Sequence, residues 1–191
     1  LESYGDSTVK TPNISRLARE GVRYSHVYST AGVCAPSRSV LITGMYQTTI
    51  GTHNMRTLQN LSREVPYYSA VLPPYVKTHS EYMRAAGYYC TNNEKTDYQF
   101  ENPISAWDDC SRTAHWRNGP KDKPFFSIFN FTITHESQIW LRKDEPMLAD
   151  PARIKVPPIY PDTKIVRKDM ARNYTNIMRM DEMVGKLLKE L

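Results

Sequence analysis

The stretch Pro124–Thr132, Pro-Phe-Phe-Ser-Ile-Phe-Asn-Phe-Thr, is largely apolar on both of its faces. A strand with one wet face alternates; a strand apolar on both faces is expected at the centre of a parallel sheet covered by helices. The rest of the chain supplies such helices. Thr11-Pro12-Asn13, followed by Ile14, Leu17 and Ala18, reads as a capped amphipathic helix that Gly21 ends. Val22, Tyr24, His26 and Tyr28 alternate as a short extended run, and Ser29–Val33 is a small-residue loop. Pro36 starts a second helix through Thr43, with Gly44 as its stop. Ser80–Ala86 is a further helical turn closed by Gly87, and Tyr88–Asn92 a short strand. Asp144–Lys164, rich in proline and charge, reads as a long surface loop. Lys168–Leu191 carries an apolar stripe of Met170, Tyr174, Ile177, Met178, Val184, Leu187 and Leu188, which predicts a final helix. Strands alternating with helices predict an α/β fold with a mostly parallel sheet flanked by helices. The chain opens at a helix approach and closes on a helix, so the sheet is expected to be incomplete at both ends.

Composition narrows the function. Apolar residues make up 40% of the 191, which disfavours wholesale disorder. No apolar run reaches the roughly 18 residues of a membrane span; the longest, Phe125–Ile133, is interrupted by Ser127, Asn130 and Thr132. Leu1–Lys10 has no secretory-signal pattern. The 25 Lys and Arg exceed the 20 Asp and Glu for a net charge of +5. That excess suits anionic ligands, but it is spread along the chain without the like-charge block of a nucleic-acid arm, so no nucleic-acid partner is expected. Three Cys without a Cys-x-x-Cys pair fit neither a zinc ribbon nor a disulfide scaffold. Whether Cys90 and Cys110 pair is a matter of distance that sequence leaves open. Asp108-Asp109, after Trp107, reads as part of a polar loop.

The segment that carries chemistry is Cys34-Ala35-Pro36-Ser37-Arg38-Ser39-Val40-Leu41-Ile42-Thr43-Gly44. Free backbone N–H groups and the helix dipole at its start favour an anion, and the planar fork of Arg38 suits a tetrahedral oxyanion. Spacing alone leaves two readings of Cys34: a buried free thiol, or a reactive side chain in an anion-processing turn. Cys-dependent phosphatases place their Arg farther on, at the position that Val40 holds here.

The same segment resembles the type I sulfatase signature, Cys-x-Pro-Ser-Arg-x-x-Leu-x-Thr-Gly, at every fixed position. The lead-in agrees: Tyr4-Gly5, then Thr11-Pro12-Asn13-Ile14, Leu17-Ala18 and Glu20-Gly21. Gly51-Thr52-His53-Asn54-Met55-Arg56 resembles a segment that follows the signature in bacterial-type members. The resemblance implies the N-terminal portion of a single catalytic domain of alkaline-phosphatase-like fold, spanning residues 1–191. It implies that a separate maturation enzyme oxidises Cys34 to formylglycine. The hydrated aldehyde, coordinated to a divalent cation (usually Ca²⁺), would attack the sulfur of a sulfate ester and then expel sulfate through its second hydroxyl.

Other roles follow residue by residue from the resemblance. Arg38 matches the Arg that holds the aldehyde hydrate. Lys95 matches a sulfate-binding Lys, against the alternative of a solvated loop lysine. His135, after the apolar strand, matches a sulfate-contacting His that can protonate the leaving oxygen. His53 and Arg56 fall near the substrate or are structural. Where many members have a His two positions after the Lys, this chain has Asp97. The carboxylate ligands of the cation are expected outside this chain, leaving Cys34 as its only contribution. The implied substrate is a sulfated carbohydrate, with an aryl sulfate second, and the implied location is periplasmic, secreted or lysosomal. Two further readings stay open: a formylglycine-dependent phosphonate or phosphate ester hydrolase, and a non-catalytic anion-binding member of the fold.

Overall fold

The computed structural model describes residues 1–57 and 67–191. They form two compact units, His26–Asn130, and Leu1–Ser25 together with Phe131–Leu191.

The His26–Asn130 unit is built on a parallel three-stranded sheet. Its strands are β1 (Tyr89–Asn93), β2 (Asp109–Cys110) and β3 (Phe125–Phe129), in the order β2-β1-β3. Thr91 of β1 is in register with Asp109 on one side and Ser127 on the other, and its hydroxyl donates to the Ser127 hydroxyl at 2.7 Å. The strand expected at the centre, β3, therefore flanks it. The centre is β1, whose Cys90, Thr91 and Asn92 are fully buried, while Phe125 of β3 is exposed. β3 also ends earlier than its apolar run: the Asn130 N–H makes the last rung to β1, donating to the Asn93 carbonyl at 2.8 Å, and its amide donates to the Asn92 side-chain oxygen at 2.9 Å.

The α-helices of this unit among the described residues are α2 (Cys34–Thr43) and α3 (His79–Ala85). Helix α2 starts at Cys34 rather than at Pro36, since a first turn tolerates proline without losing a hydrogen bond; Gly44, at φ 69°, closes it. Thr78 and Glu81 form a reciprocal cap on α3. Ile42 of α2 packs with Cys90, Tyr98, Phe100, Ala106 and Trp107 in the core. Asp109 lies in a strand rather than a polar loop. Asp108 is a structural acceptor, taking the Cys90 N–H at 2.8 Å and pairing with Arg84 at 2.8 Å. All three cysteines are free thiols, so Cys90 and Cys110 do not pair. Burial, with the Asp108 charge adding to it, pushes the Cys90 thiol up to about 11.

The second unit holds α1 (Pro12–Glu20), the short α4 (Ser137–Leu141) and α5 (Lys164–Leu188). Helix α5 begins earlier than the apolar stripe because the Thr163 hydroxyl accepts the Val166 N–H at 3.3 Å as an N-cap. Asp181 of α5 is buried and caps α1, accepting the N–H groups of Asn13 at 3.2 Å and Ile14 at 2.8 Å. The segment expected as a surface loop sends Ala149 and Ile154 into a core with Val9 and Ala171, against which Met170, Tyr174 and Met178 pack. The alternating run Val22–Tyr28 is exposed and makes no strand among the described residues, since alternation without a partner strand buries nothing.

Candidate active site

Cys34 lies in the first turn of α2 and is half-buried. One turn on, Arg38 reaches past the end of β1. Its Nε donates to the Thr96 carbonyl at 2.8 Å and its Nη2 to the Lys95 carbonyl. The Asn92 amide donates to the same Lys95 carbonyl at 3.3 Å. Loop 94–97 is thus tied at once to the helix start and to the carboxyl end of the central strand, where open α/β sheets bind ligands.

That loop presents Lys95 and Asp97, and Arg56 meets them from the segment after α2. Arg56 Nε and Nη2 donate to the two Asp97 carboxylate oxygens at 2.8 and 2.6 Å, a bidentate pair. Lys95 Nζ stands 3.5 Å from the same carboxylate. Cys34 is near enough for its sulfur to act on the Arg56 guanidinium. The pKa of Arg56 is raised first by the hydrogen bonds it donates to Asp97, against a smaller effect of burial, with the Asp97 charge and the Cys34 sulfur adding to the rise. Burial alone would raise the Asp97 carboxyl, but the Arg56 hydrogen bonds and the charges of Arg56 and Lys95 outweigh it and hold the group below its ordinary value. Asp97 is therefore a fixed negative charge at neutral pH, with no proton to give. Its neighbours Arg38 and Tyr98 sit together, the guanidinium carbon 5.8 Å from the ring centre. Burial lifts the Tyr98 phenol to about 12.

The sequence-predicted residues divide as follows. Cys34, Arg38 and Lys95 all belong to the His26–Asn130 unit, with Arg38 one helical turn after Cys34 and bonded to the Lys95 carbonyl. His53 is exposed, one residue past Thr52, whose hydroxyl is 2.6 Å from that of Ser39 in α2. His135 belongs to the other unit. It follows a 3-10 turn at Thr132–Thr134, is exposed, and has its Nδ1 2.9 Å from the Ser137 hydroxyl and 3.3 Å from the Ser137 N–H that donates to it. The pairing of Arg56 with Asp97 was not readable from sequence, since 41 positions separate the two residues. The only signal was the position of each, Arg56 after the signature and Asp97 where a His is usual.

The cluster holds three cations and one carboxylate: Arg56 and Lys95 face Asp97, which is taken, and Arg38 is held on backbone carbonyls. Among the described residues no group of three His, Cys, Asp or Glu side chains is placed to hold a metal ion. A hard cation such as Ca²⁺ asks for about six to eight oxygen ligands, so the described residues do not fit one by themselves. The cluster fits an anion.

The sulfatase family model matches residues 1–191. The chain belongs to the sulfatase family. It is 44% identical to the ulvan-active sulfatase of Formosa agariphila, over the whole of this chain and 38% of that protein. It is 25% identical to the human N-sulphoglucosamine sulphohydrolase, over 99% of this chain and 44% of that one. The sulfatase chain thus spans about two fifths of the length of these relatives. A solved structure from work on the metabolism of multiple glycosaminoglycans by Bacteroides thetaiotaomicron superposes with a TM-score of 0.59 at 18% identity, covering 95% of this chain and 50% of that one. That likeness agrees with the α/β arrangement of a parallel sheet flanked by helices. No helix among the described residues is long and apolar enough to cross a membrane.

Proposed function

We propose that this sulfatase-family chain carries the nucleophile-bearing part of a sulfuric ester hydrolase that acts on a sulfated carbohydrate. The observation that carries the reading is the linkage of the Cys34 helix to a cationic loop: Arg38, one turn after Cys34, holds the Lys95 and Thr96 carbonyls, and Arg56 and Lys95 meet at Asp97. The names of the relatives support a carbohydrate substrate: one is called ulvan-active, the other is named for N-sulphoglucosamine.

In this reading a maturation enzyme converts Cys34 to formylglycine, which when hydrated supplies a nucleophilic oxygen and a second hydroxyl for regeneration. The chain's own residues bind and orient the ester. Arg56 and Lys95 offset charge on the sulfuryl oxygens and hold them in place for attack. Arg38 holds the loop that presents Lys95. His135 donates a proton to the leaving oxygen from Nε2; the Ser137 N–H on Nδ1 supports that tautomer, because it requires Nδ1 to be the acceptor. His53 contacts a more distant part of the substrate.

The test is peptide mass analysis of protein from its native host, joined to product analysis. The Cys34 peptide should show loss of sulfur and two hydrogens and gain of one oxygen, and sulfate should be released from sulfated sugars. An unmodified thiol removes the catalytic reading in favour of a non-catalytic anion-binding role. Release of phosphate from model esters in preference to sulfate moves the assignment to a phosphate or phosphonate ester hydrolase.

A further inference from the structure

We infer that Asp97 is a positioning residue, fixing the Arg56 guanidinium near Cys34 and drawing the Lys95 ammonium to the same point, and limiting how tightly the site holds free sulfate. The inference rests on the functional reading above and deepens it.

The geometry begins with the bidentate pair. Asp97 occupies the Nε and Nη2 edge of Arg56 at 2.8 and 2.6 Å, and its side chain is only 11% exposed. An arginine side chain free in this turn would sample many rotamers, and a planar fork held on one edge loses that freedom before substrate arrives. The same carboxylate stands 3.5 Å from Lys95 Nζ, so one anion sets the direction of two cations.

The backbone is built to hold this arrangement. Arg56, Asp97 and Gln99 have φ values of 50°, 53° and 60°, in the left-handed region that side-chain-bearing residues seldom enter. The three are joined across the two segments. The Thr57 N–H donates to Gln99 Oε1 at 3.2 Å, the Gln99 amide donates to the Thr57 hydroxyl, and that hydroxyl donates to the Tyr68 carbonyl at 2.6 Å. Unfavourable conformations of this kind persist where the surroundings over-determine them, and they gather at functional sites. Here each segment gives one strained residue to the ion pair, Arg56 and Asp97, and Gln99 braces the two segments.

Charge supplies the second half. Sulfate is a dianion and, in the proposed reaction, the product. Two cations without Asp97 would hold it more tightly in its ground state, which lowers the rate of release without helping the transition state. With Asp97 in place part of that attraction is cancelled, while the cations keep their aim.

The experiment uses the matured protein, with inorganic sulfate as the titrated probe and a sulfated sugar as substrate. In Asp97→Asn the amide keeps one acceptor oxygen but turns N–H donors toward a guanidinium that has only donors, so the bidentate pair and its charge are lost. The expected result is a kcat at least tenfold lower, a sulfate Kd at least threefold tighter, and a binding stoichiometry equal to wild type. A kcat within twofold of wild type overturns the inference. So does weaker sulfate binding, or a stoichiometry that falls in step with kcat, which would mean that Asp97 only keeps the protein folded. If Asp97→Asn does not fold, Arg56→Lys keeps the charge but not the fork; it should lose at least tenfold in kcat at full sulfate stoichiometry, and wild-type turnover in that variant refutes the inference. Wild-type protein that binds sulfate but releases none from esters refutes the functional reading alone, because the comparison of sulfate affinities still stands.

Discussion

Arg38 sits in the signature turn, yet two nitrogens of its fork are held by backbone carbonyls, those of Thr96 and Lys95. A guanidinium can serve a site in this indirect way because its donors are rigidly spaced: what it holds is the loop, and the loop carries Lys95 and Asp97. A lysine at position 38 keeps the charge but has no planar fork, so it cannot span two consecutive carbonyls in the same geometry. Arg38→Lys should therefore lower kcat/KM for sulfate-ester hydrolysis at least tenfold while costing only about 1 kcal/mol in stability, the net worth of one hydrogen bond. Parallel kinetics and thermal melts check this. A loss of activity matched by a collapse of the melt would make Arg38 a folding residue instead. The contrast with Arg56 shows what sequence can and cannot disclose at this scale. Arg38 is legible because the motif fixes it within one helical turn of Cys34. The partnership of Arg56 with Asp97 depends on two left-handed residues in separate segments, and no local pattern encodes that meeting.

At the scale of elements, helices α1 and α2 were legible because proline, glycine and apolar spacing punctuate them. The strands were legible in kind but not in order. The apolar run around β3 predicted a central strand, but the described sheet centres on β1, whose sequence Tyr-Cys-Thr-Asn-Asn is far more polar. Its polar side chains are buried because each has a partner: Thr91 bonds Ser127, and Asn92 bonds Asn130 and the Lys95 carbonyl. Hydrophobic pattern ranks strands by apolar content, and that ranking fails where buried polar groups are satisfied. The packing of α1 on α5 gives a sharper case. A β-carbon at Gly185 would lie 2.6 Å from the Asn13 side chain. Asn13 cannot step aside cheaply, since its amide donates to the Asp181 carbonyl at 3.1 Å and to the Asp181 carboxylate at 2.8 Å. Alanine gains about 1 kcal/mol in helix propensity, but overpacking costs about 1–3 kcal/mol, and the locked neighbour puts Gly185 toward the upper end. Gly185→Ala should destabilise the protein, and Asp181→Ala should do so more, by about 2–4 kcal/mol, because it leaves two N–H groups of α1 and the Asn13 amide without their acceptor. Denaturant titration of both variants decides the order; a Gly185→Ala protein more stable than wild type would show that the helices have room to part.

For the whole molecule, the balance of charge says which ion the described residues can hold. The chain carries 25 Lys and Arg against 20 Asp and Glu, and the site repeats that excess locally, with Arg38, Arg56 and Lys95 against Asp97. A tetrahedral dianion is stabilised by such a cluster, and a divalent cation is repelled by it unless several carboxylates are added. Those carboxylates are not gathered among the described residues, and Asp97 would have to leave a bidentate pair and a lysine to coordinate a metal. Ca²⁺ needs about six to eight oxygens, and a matured Cys34 with Asp97 falls well short of that number. The 191-residue chain, titrated with Ca²⁺ in dilute buffer, should accordingly show no stoichiometric binding tighter than about millimolar, the weak end of the range for oxygen-ligand sites. Inorganic sulfate should bind the same protein, and binding should weaken steeply with added salt, because the cluster is partly open to solvent and its field is screened within about 10 Å at 0.1 M salt. Tight Ca²⁺ binding by this chain would overturn the argument directly: it would mean that Asp97 exchanges Arg56 for the metal, and the structural role assigned to the ion pair would fall with it.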